Sequence, residues 1–194
     1  MAGPDDVLSF WLDEVGESRW YVQDAALDAE ITDRFQTTWE GACAGRYSLW
    51  LTYPNGALAY IILTDQFSRN MFRGSGKAFS SDRIALAAAK AAVDKGWDMR
   101  IDEPARQFFY MPMMHSENLC DQERSVRLIC KRSKGNLLHA RAHREVIRLF
   151  GRFPYRNDAL HRASTDPESA YVTAGGYGQT VSQMENSSTV GVPA

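Results

Sequence analysis

The chain has few cysteines and no paired cysteine motif. Its three cysteines, Cys43, Cys120 and Cys130, are an odd number among 194 residues and include no C-x-x-C pair. This pattern argues against a disulfide framework and against a zinc knuckle. We therefore interpret the three thiols as small side chains that are buried or half-buried.

Long apolar runs are also absent. The longest ones, such as residues 57–63, are far shorter than the roughly 20 residues that a membrane-spanning helix needs. Residues 1–6 lack the basic start and the apolar stretch of a secretory signal. We expect a soluble, cytoplasmic protein with no membrane partner.

Motifs of the common nucleotide-binding and hydrolase folds are missing as well. The sequence has no P-loop, no G-x-G-x-x-G and no G-x-S-x-G, so those fold classes have no support. His139 and His143 lie four residues apart, a spacing at which one helix face can hold a metal. Because no H-E-x-x-H motif and no cysteine partner accompany them, we predict no metal site, and the sequence identifies no cofactor.

Neither sign of charge dominates, because the formal net charge is −2. The distribution is uneven, since residues 124–162 contain eleven Lys or Arg against two acids, which leaves a net −11 for the rest. Such a basic stretch can mark a nucleic-acid or anion-binding face, or it can pack against the acidic remainder of the same fold. Few aromatic residues interleave with it, so nucleic acid is not expected as a partner.

Helix signals, in contrast, recur along the chain with few strand signals between them. Helical periodicity and capping residues predict helices over 5–14, 24–44, 54–72, 81–95, 102–114, 119–132 and 136–150, with a brief one near residue 164. Small polar residues dominate from Ala174 onward, which predicts a flexible C-terminal tail over 174–194. Residues 1–173 are predicted to form a single helical domain.

These elements predict an all-α fold of about eight helices. Short loops between the helices favour antiparallel neighbours stacked as hairpins. No strict 34-residue repeat is present, so a tetratricopeptide-like array of such hairpins would be degenerate. A plain helical bundle stays open as the alternative.

Polar side chains follow the apolar start of the third predicted helix. Asp65, Arg69 and Arg73 are spaced four apart and form one row, with Gln66 and Asn70 beside them. One reading is an exposed ladder of ion pairs, each contributing roughly 0.2–0.5 kcal/mol. The other is a row that points inward, because amides accompany the charges on an otherwise apolar helix.

Two further sets of residues could carry chemistry. His115 and Glu117 follow the helix break expected at Pro112 and could form an acid/base or ligand-binding corner. His115 could instead satisfy the end of the broken helix. Arg152 and Arg156 stand on a turn around Pro154 and suit bidentate contact with a carboxylate or phosphate, or with acids and helix ends of the chain itself.

The chain resembles the bacterial family known as domain of unknown function 924 over roughly Val7 to Ala163. The resemblance is carried by Phe10-Trp11, Asp65-Gln66-Phe67-Ser68-Arg69-Asn70, Tyr110-Met111-Pro112, His115-Ser116-Glu117, Asp121-Gln122 and the run from His143 to Asn157. It implies an all-α, tetratricopeptide-like fold whose biochemical role is not established.

The family pattern falls on thirteen polar positions of this sequence. They are Asp65, Gln66, Arg69, Asn70, Arg73, His115, Ser116, Glu117, Gln122, His143, Arg152, Arg156 and Asn157. Three positions depart from it: Ser68 stands where proline is frequent, Tyr155 where histidine is frequent, and His139 where an aromatic is usual. The departure at Tyr155 puts a side-chain role at that turn in doubt, and the one at His139 weakens a metal pair further.

The leading functional hypothesis is a polar pocket between the third, fifth and seventh predicted helices that binds a small anionic molecule or an acidic peptide end. Arg69, Arg152 and Arg156 would clamp the anion, and Asp65 and His143 would orient the clamp. A second hypothesis is a small-molecule hydrolase in which a histidine, His115 or His143, and a carboxylate, Asp65 or Glu117, are catalytic. A third is a protein-binding helical adaptor whose polar core is structural, distinguished by an exposed apolar groove.

Overall fold

A computed structural model describes residues 1–133 and 135–189, and over these residues the chain is helical and contains no β-strand. The prediction of an all-α fold is confirmed, whereas the stacking of hairpins in a tetratricopeptide-like array stays a prediction. Two compact units are present, an N-terminal unit of residues 1–112 and a C-terminal unit from Met113 onward. Their boundary falls inside the single domain predicted for residues 1–173.

The N-terminal unit is built on five α-helices, several of which continue into π-helical turns. They are α1 (Pro4–Leu8), α2 (Ala25–Cys43), α3 (Pro54–Ile61), α4 (Ser68–Met71) and α5 (Asp82–Asp94). The π-helical segment Ser9–Val15 continues α1, and Ile62–Phe67 joins α3 to α4. Short 3-10 helices lie at Ser48–Thr52, Gly76–Phe79, Asp98–Arg100 and Ala105–Phe109.

Local signals account for the bounds of these helices. The Asp24 carboxylate accepts hydrogen bonds from the backbone N–H groups of Ala26 and Leu27 and caps α2, as its sequence position predicts. Gly45 follows α2 with φ of 74°, a left-handed conformation that glycine adopts without strain. The predicted helix over 54–72 is confirmed as one continuous run of α3, the π-helical segment and α4.

Aromatic rings fill the core of the N-terminal unit. Phe10 and Phe35 have ring centroids 5.0 Å apart, and Phe67 lies 4.9 Å from Phe35 and 5.3 Å from Trp11. All four side chains are buried. Phe35 thus directs one face of α2 toward this core.

The C-terminal unit contains the remaining long helices. They are α7 (Leu119–Arg132), α8 (Leu137–Phe150), α9 (Asp166–Thr173) and α10 (Gly176–Thr189), with a 3-10 helix at Pro154–Arg156. The short helix α6 (Met111–Met114) precedes them and ends immediately before His115, where the sequence predicts a break. The core of the unit includes a cluster of Val146, Ile147 and Phe153, against which Phe150, Tyr171 and Tyr177 pack.

Three local predictions differ from the structure. Residues 176–189, which lie in the segment predicted as a flexible tail, form helix α10, and this helix packs on α8. Asn136 precedes α8 in a left-handed conformation and makes no side-chain capping bond. The three cysteines are exposed, because each lies on the outer side of its helix, so the prediction of buried or half-buried thiols is wrong.

Candidate functional site

Asp65 and Gln66 lie on the π-helical segment of the N-terminal unit. Both side chains are buried, with 1% of Asp65 and 7% of Gln66 exposed. The Gln66 amide donates a hydrogen bond to the Asp65 carboxylate. A π-helical turn shifts the following residues around the helix axis and occurs often at functional sites. Because Asp65 and Gln66 are buried, the prediction that this part of the row points inward is confirmed.

Arg69 and Arg73 pair with acids of neighbouring helices. Arg69 donates to the Ala78 carbonyl and forms an ion pair with Asp82 at the start of α5, at 2.8 Å. Arg73 binds the Asp28 carboxylate of α2 through two nitrogens, at 2.7 and 2.9 Å. These two arginines thus connect α4 and the turn after it to α5 and α2.

Asn70 belongs to the same network. Its side-chain amide donates to Asp28 at 2.8 Å, so this carboxylate accepts from both Asn70 and Arg73. Burial raises the pKa of Asp28, but the hydrogen bonds from Arg73 and Asn70 outweigh it and hold the pKa below its usual value. The network explains Asn70 and Arg73 as residues that hold helices together.

In the C-terminal unit, Glu117 anchors the loop that follows α8. Its carboxylate accepts from the Phe153 N–H at 2.8 Å and from both terminal nitrogens of Arg162 at 2.7 and 3.0 Å. Burial raises the pKa of Glu117, but these hydrogen bonds outweigh it and leave the pKa lowered. Glu117 is therefore ionised at neutral pH, and its carboxylate accepts three hydrogen bonds from two residues of its own unit.

Gln122 holds the end of α6 against the start of α7. The side chain is fully buried, and its amide nitrogen donates to the carbonyl oxygens of Met114 and Ser116 at 2.6 and 2.7 Å. Its amide oxygen is buried and accepts no hydrogen bond within the described residues. Asn118 caps α7 through hydrogen bonds from the N–H groups of Cys120 and Asp121. The backbone on both sides of His115 is thus fixed by neighbouring side chains.

His115 and His143 lie side by side, with ring centroids 6.0 Å apart. Both residues are half-buried. The Nδ1 atom of His143 lies 2.8 Å from the carbonyl oxygen of His139, so in the neutral ring Nδ1 carries the proton and Nε2 is an acceptor. Burial, together with the nearby His115 and Arg156, lowers the pKa of His143 to about 3. His143 is therefore neutral at pH 7.

Tyr177 of α10 completes the surroundings of His143. Its ring centroid lies 4.5 Å from that of His143, and its hydroxyl lies 2.8 Å from Nδ1 of His139. Burial raises the pKa of the Tyr177 hydroxyl, which stays protonated. His139 and His143 are the pair whose spacing could suit a metal. The Nδ1 atom of each lies within hydrogen-bond distance of another group of the chain. No group of three or more His, Cys, Asp or Glu side chains that could hold a metal occurs among the described residues.

Arg156 lies on a buried aromatic ring. Its guanidinium carbon is 4.4 Å from the centroid of Phe153, and only 6% of the residue is exposed. Phe153 in turn lies 5.5 Å from His143, edge to face. The guanidinium is close enough to contribute to the lowered pKa of His143. Arg156, His143 and His115 therefore form one group of basic side chains around Phe153.

Arg152, in contrast, is neutralised by Glu168. Two nitrogens of Arg152 bind the two oxygens of Glu168 at 2.6 and 2.7 Å, and Arg152 also donates to the Ala163 carbonyl. The hydrogen bonds from Arg152 are the main cause that lowers the pKa of Glu168 to about 2. Asn157 also bonds to other side chains of the unit. Its amide nitrogen donates to the Ser164 hydroxyl, and its amide oxygen accepts from Arg162.

The sequence-predicted residues thus fall into two groups. Asp65, Gln66, Arg69, Asn70 and Arg73 lie in the N-terminal unit, and His115, Glu117, Gln122, His143, Arg152, Arg156 and Asn157 lie in the C-terminal unit. Within the second group, the structure brings His115, His143 and Arg156 together around Phe153.

Sequence reasoning missed three participants: Tyr177, Arg162 and Glu168. Of these, only Glu168 had a readable signal. It is the last residue of a Thr165-x-x-Glu168 capping box, which can be recognised from residue types and spacing alone. The contacts of Tyr177 and Arg162 depend on tertiary packing and leave no trace in the local pattern.

An apolar groove of about 280 Å³ lies elsewhere, in the N-terminal unit. It is lined by Leu51, Ala57, Tyr60, Ile84, Ala87, Ala88, Ala91, Ala92, Lys95 and Trp97. Its one charged side chain, Lys95, lies over the Trp97 ring at 4.3 Å. Apart from the Lys95 amine and the Tyr60 hydroxyl, its lining offers no group with acid, base or nucleophilic function.

Within the described residues, no helix combines the length and apolar character needed to cross a membrane.

The chain is similar to a solved helical structure and matches a family of bacterial proteins. The chain is similar to a solved structure of a protein of unknown function, ATU0120, from Agrobacterium tumefaciens: 36% of residues are identical, the match covers 87% of this chain and 96% of the other, and the TM-score is 0.83. No curated protein matches the chain. A family model described as a bacterial protein of unknown function, DUF924, matches residues 7–176. The chain therefore belongs to the DUF924 family of bacterial proteins.

Proposed function

We propose that the C-terminal unit binds a small molecule through a carboxylate or phosphate group, which Arg156, His115 and His143 face together. The observation that carries this proposal is the placement of two imidazole rings 6.0 Å apart beside a buried guanidinium. Arg156 and His115 both act electrostatically against protonation of His143, so this place disfavours an added positive charge and favours a negative one. An anion would therefore be attracted to it.

The geometry of Arg156 suits such a ligand. A planar guanidinium that lies on an aromatic face has its nitrogens arranged in one plane, which matches the two oxygens of a carboxylate or phosphate. Contact with the buried Phe153 ring restricts the side chain before any ligand arrives. Less conformational entropy is then lost on binding than for a mobile surface arginine.

The proposed clamp contains one arginine, whereas the sequence suggested three. Arg69 pairs with Asp82, and Arg152 pairs with Glu168. A ligand that bound either arginine would have to compete with a carboxylate already in place. We therefore assign a structural role to Arg69 and Arg152. The binding role goes to Arg156 because it lies on Phe153 beside His143 and His115, although its charge also acts on the Glu117 carboxylate.

The alternatives have less support. A hydrolase needs a histidine oriented by a carboxylate, but Nδ1 of His143 faces a backbone carbonyl, and the Glu117 carboxylate binds Arg162 and Phe153. A protein-binding adaptor is favoured only by the apolar groove of the N-terminal unit. That groove lies in the N-terminal unit and includes no residue of the basic group around Phe153.

The test is a titration of the full chain with sodium phosphate and with sodium acetate, followed by isothermal titration calorimetry. We expect saturable binding of at least one anion, and an affinity about tenfold lower for Arg156→Lys, since a hydrogen bond to a charged group is worth roughly 1.5–3 kcal/mol. This variant keeps the charge and loses the planar fork.

The matched control is Arg148→Lys, because Arg148 lies on α8 of the same unit with a mostly exposed side chain. It should bind the anions with unchanged affinity. Circular dichroism of each variant verifies that the helices are intact. The proposal is overturned if neither anion binds, or if Arg156→Lys binds both as tightly as the unaltered chain.

A further inference from the structure

We propose that the ligand of this site carries an aromatic ring next to its anionic group, and that Tyr155 and Tyr177 hold the ring. This inference rests on the proposed function above and deepens it by naming the class of ligand. It concerns the two tyrosines near the proposed anion site, which have no role in the anion binding proposed above.

The position of Tyr155 is the first observation. It stands next to Arg156 in the 3-10 helix Pro154–Arg156, and its ring stacks on Phe153 with centroids 5.3 Å apart and planes inclined by 29°. The Arg156 guanidinium contacts the same Phe153 ring. The Tyr155 side chain is nevertheless 39% exposed. The solvent-exposed Tyr155 ring and the Arg156 guanidinium therefore pack on the same Phe153 ring.

Tyr177 continues this surface toward the histidines. Its ring centroid is 6.1 Å from that of Tyr155, at an angle of 63°, and 4.5 Å from that of His143. The hydrogen bond between its hydroxyl and His139 fixes the direction of the ring. Tyr155 and Tyr177 thus form a row of rings that continues into His143 and His115, the two histidines of the basic group.

Such a row favours an aromatic ligand over an aliphatic one. Aromatic faces and edges attract one another through their quadrupoles, in offset-stacked or edge-to-face arrangements, beyond what burial of the same area contributes. One such contact corresponds to an affinity gain of about three- to tenfold. Because both tyrosines are already oriented, the gain is not offset by a large loss of side-chain entropy.

The experiment compares pairs of anions that differ by one phenyl ring. Acetate is titrated against benzoate, and inorganic phosphate against phenyl phosphate, into the full chain, with binding followed by ¹H–¹⁵N NMR. We expect the aromatic member of at least one pair to bind about three- to tenfold more tightly. Tyr155→Leu should remove this advantage without changing the affinity for acetate or phosphate, whereas Tyr155→Phe should keep it.

The matched control is Tyr53→Leu, which removes a comparably exposed tyrosine from the N-terminal unit and should leave the advantage intact. The inference is overturned if the aromatic anions bind no more tightly than their partners, or if Tyr155→Leu retains the full advantage. If acetate and phosphate bind in an Arg156-dependent manner in that case, the proposed function survives and only this inference fails. If none of the four anions binds, both fail.

Discussion

At the scale of single residues, His143 shows how position changes the chemistry of a side chain. In an unfolded chain its pKa is near 6.5, whereas in the folded chain burial and the neighbouring His115 and Arg156 lower the pKa to about 3. Between these two values the unfolded state binds a proton that the folded state does not. Acidification therefore favours unfolding over that range, with the full stability present above pH 6.5.

This linkage predicts the pH dependence of stability. Between pH 7 and pH 5, His143 alone should reduce the free energy of unfolding by about 2 kcal/mol. Replacing it by a side chain that does not titrate, His143→Asn, keeps a donor near the His139 carbonyl and should make the dependence shallower by that amount. Urea unfolding of both chains at the two pH values measures the difference.

His161→Asn is the matched control for this experiment. His161 is exposed and has φ of 52°, a conformation in which asparagine is well tolerated. Its replacement should leave the pH dependence as it is in the unaltered chain. If the free energy of unfolding depends on pH equally steeply in His143→Asn and in the unaltered chain, the lowered pKa of His143 is contradicted.

Residue type alone did not show which of the candidate arginines hold the fold together. Arg69, Arg152 and Arg156 look alike in the sequence, and all three were predicted to clamp an anion. The partner of Arg69 is 13 residues away and that of Arg152 is 16 residues away, so only the folded chain reveals that each has an internal carboxylate. The prediction for Arg156 remains to be tested.

At the scale of elements, the junction of α6 and α7 depends on Gln122. The fully buried amide supplies two hydrogen bonds to carbonyl oxygens on the N-terminal side of α7. Gln122→Met preserves the length and removes both donors. We expect the free energy of unfolding to fall by about 1–3 kcal/mol, the cost of leaving buried polar groups unsatisfied. Chemical denaturation at pH 7 measures this change.

Gln36→Met provides the comparison. The Gln36 amide on α2 donates to Glu40 on the outer side of its helix, where water can replace the lost bond. This variant should change the free energy of unfolding by less than about 0.5 kcal/mol. If the two variants are equally stable, the bonds of Gln122 do not hold the junction.

Helix positions were the part of the fold that local sequence predicted best. The helix predicted over 119–132 is α7, Leu119–Arg132, because Asn118 caps its start and the hydrophobic periodicity is regular. The helix predicted from Asp102 differs: a 3-10 helix occupies Ala105–Phe109 and α6 follows. Proline lacks a backbone donor. Pro104 directly precedes the 3-10 helix and Pro112 is the second residue of α6, so each proline stands at a helix start, where its missing donor costs no helical hydrogen bond.

At the scale of the whole molecule, α10 is the largest departure from what composition predicts. Residues from 174 onward are rich in small polar side chains, yet α10 buries Thr180 and places Tyr177 against α8. A chain that ends at Ala174 loses these contacts. We expect its free energy of unfolding to be lower by about 3 kcal/mol or more, as for the removal of other large buried side chains. Thermal unfolding followed by circular dichroism measures the loss.

Two substitutions in the full-length chain identify the cause of that loss. Tyr177→Ala should reproduce a large part of it, whereas Ser182→Ala, at an exposed position of α10, should not. A shortened chain as stable as the full one would show that α10 adds nothing to the C-terminal unit.

The sequence by itself determined the all-α class, most helix bounds and membership of the DUF924 family. These features depend on caps, glycines and periodicities that act within a few residues, so the pattern of residue types is sufficient to predict them. It also selected His115, His143 and Arg156 as candidate residues, without the means to bring them together.

Only the tertiary structure decided which charges are neutralised and which rings surround His143. Glu117 meets Arg162 across 45 positions, and His139 meets Tyr177 across 38. Contacts over such distances along the chain depend on how helices pack, and packing is a property of the whole set of side chains. For the same reason, a polar C-terminal segment forms a helix here, because α8 offers it an apolar surface to cover.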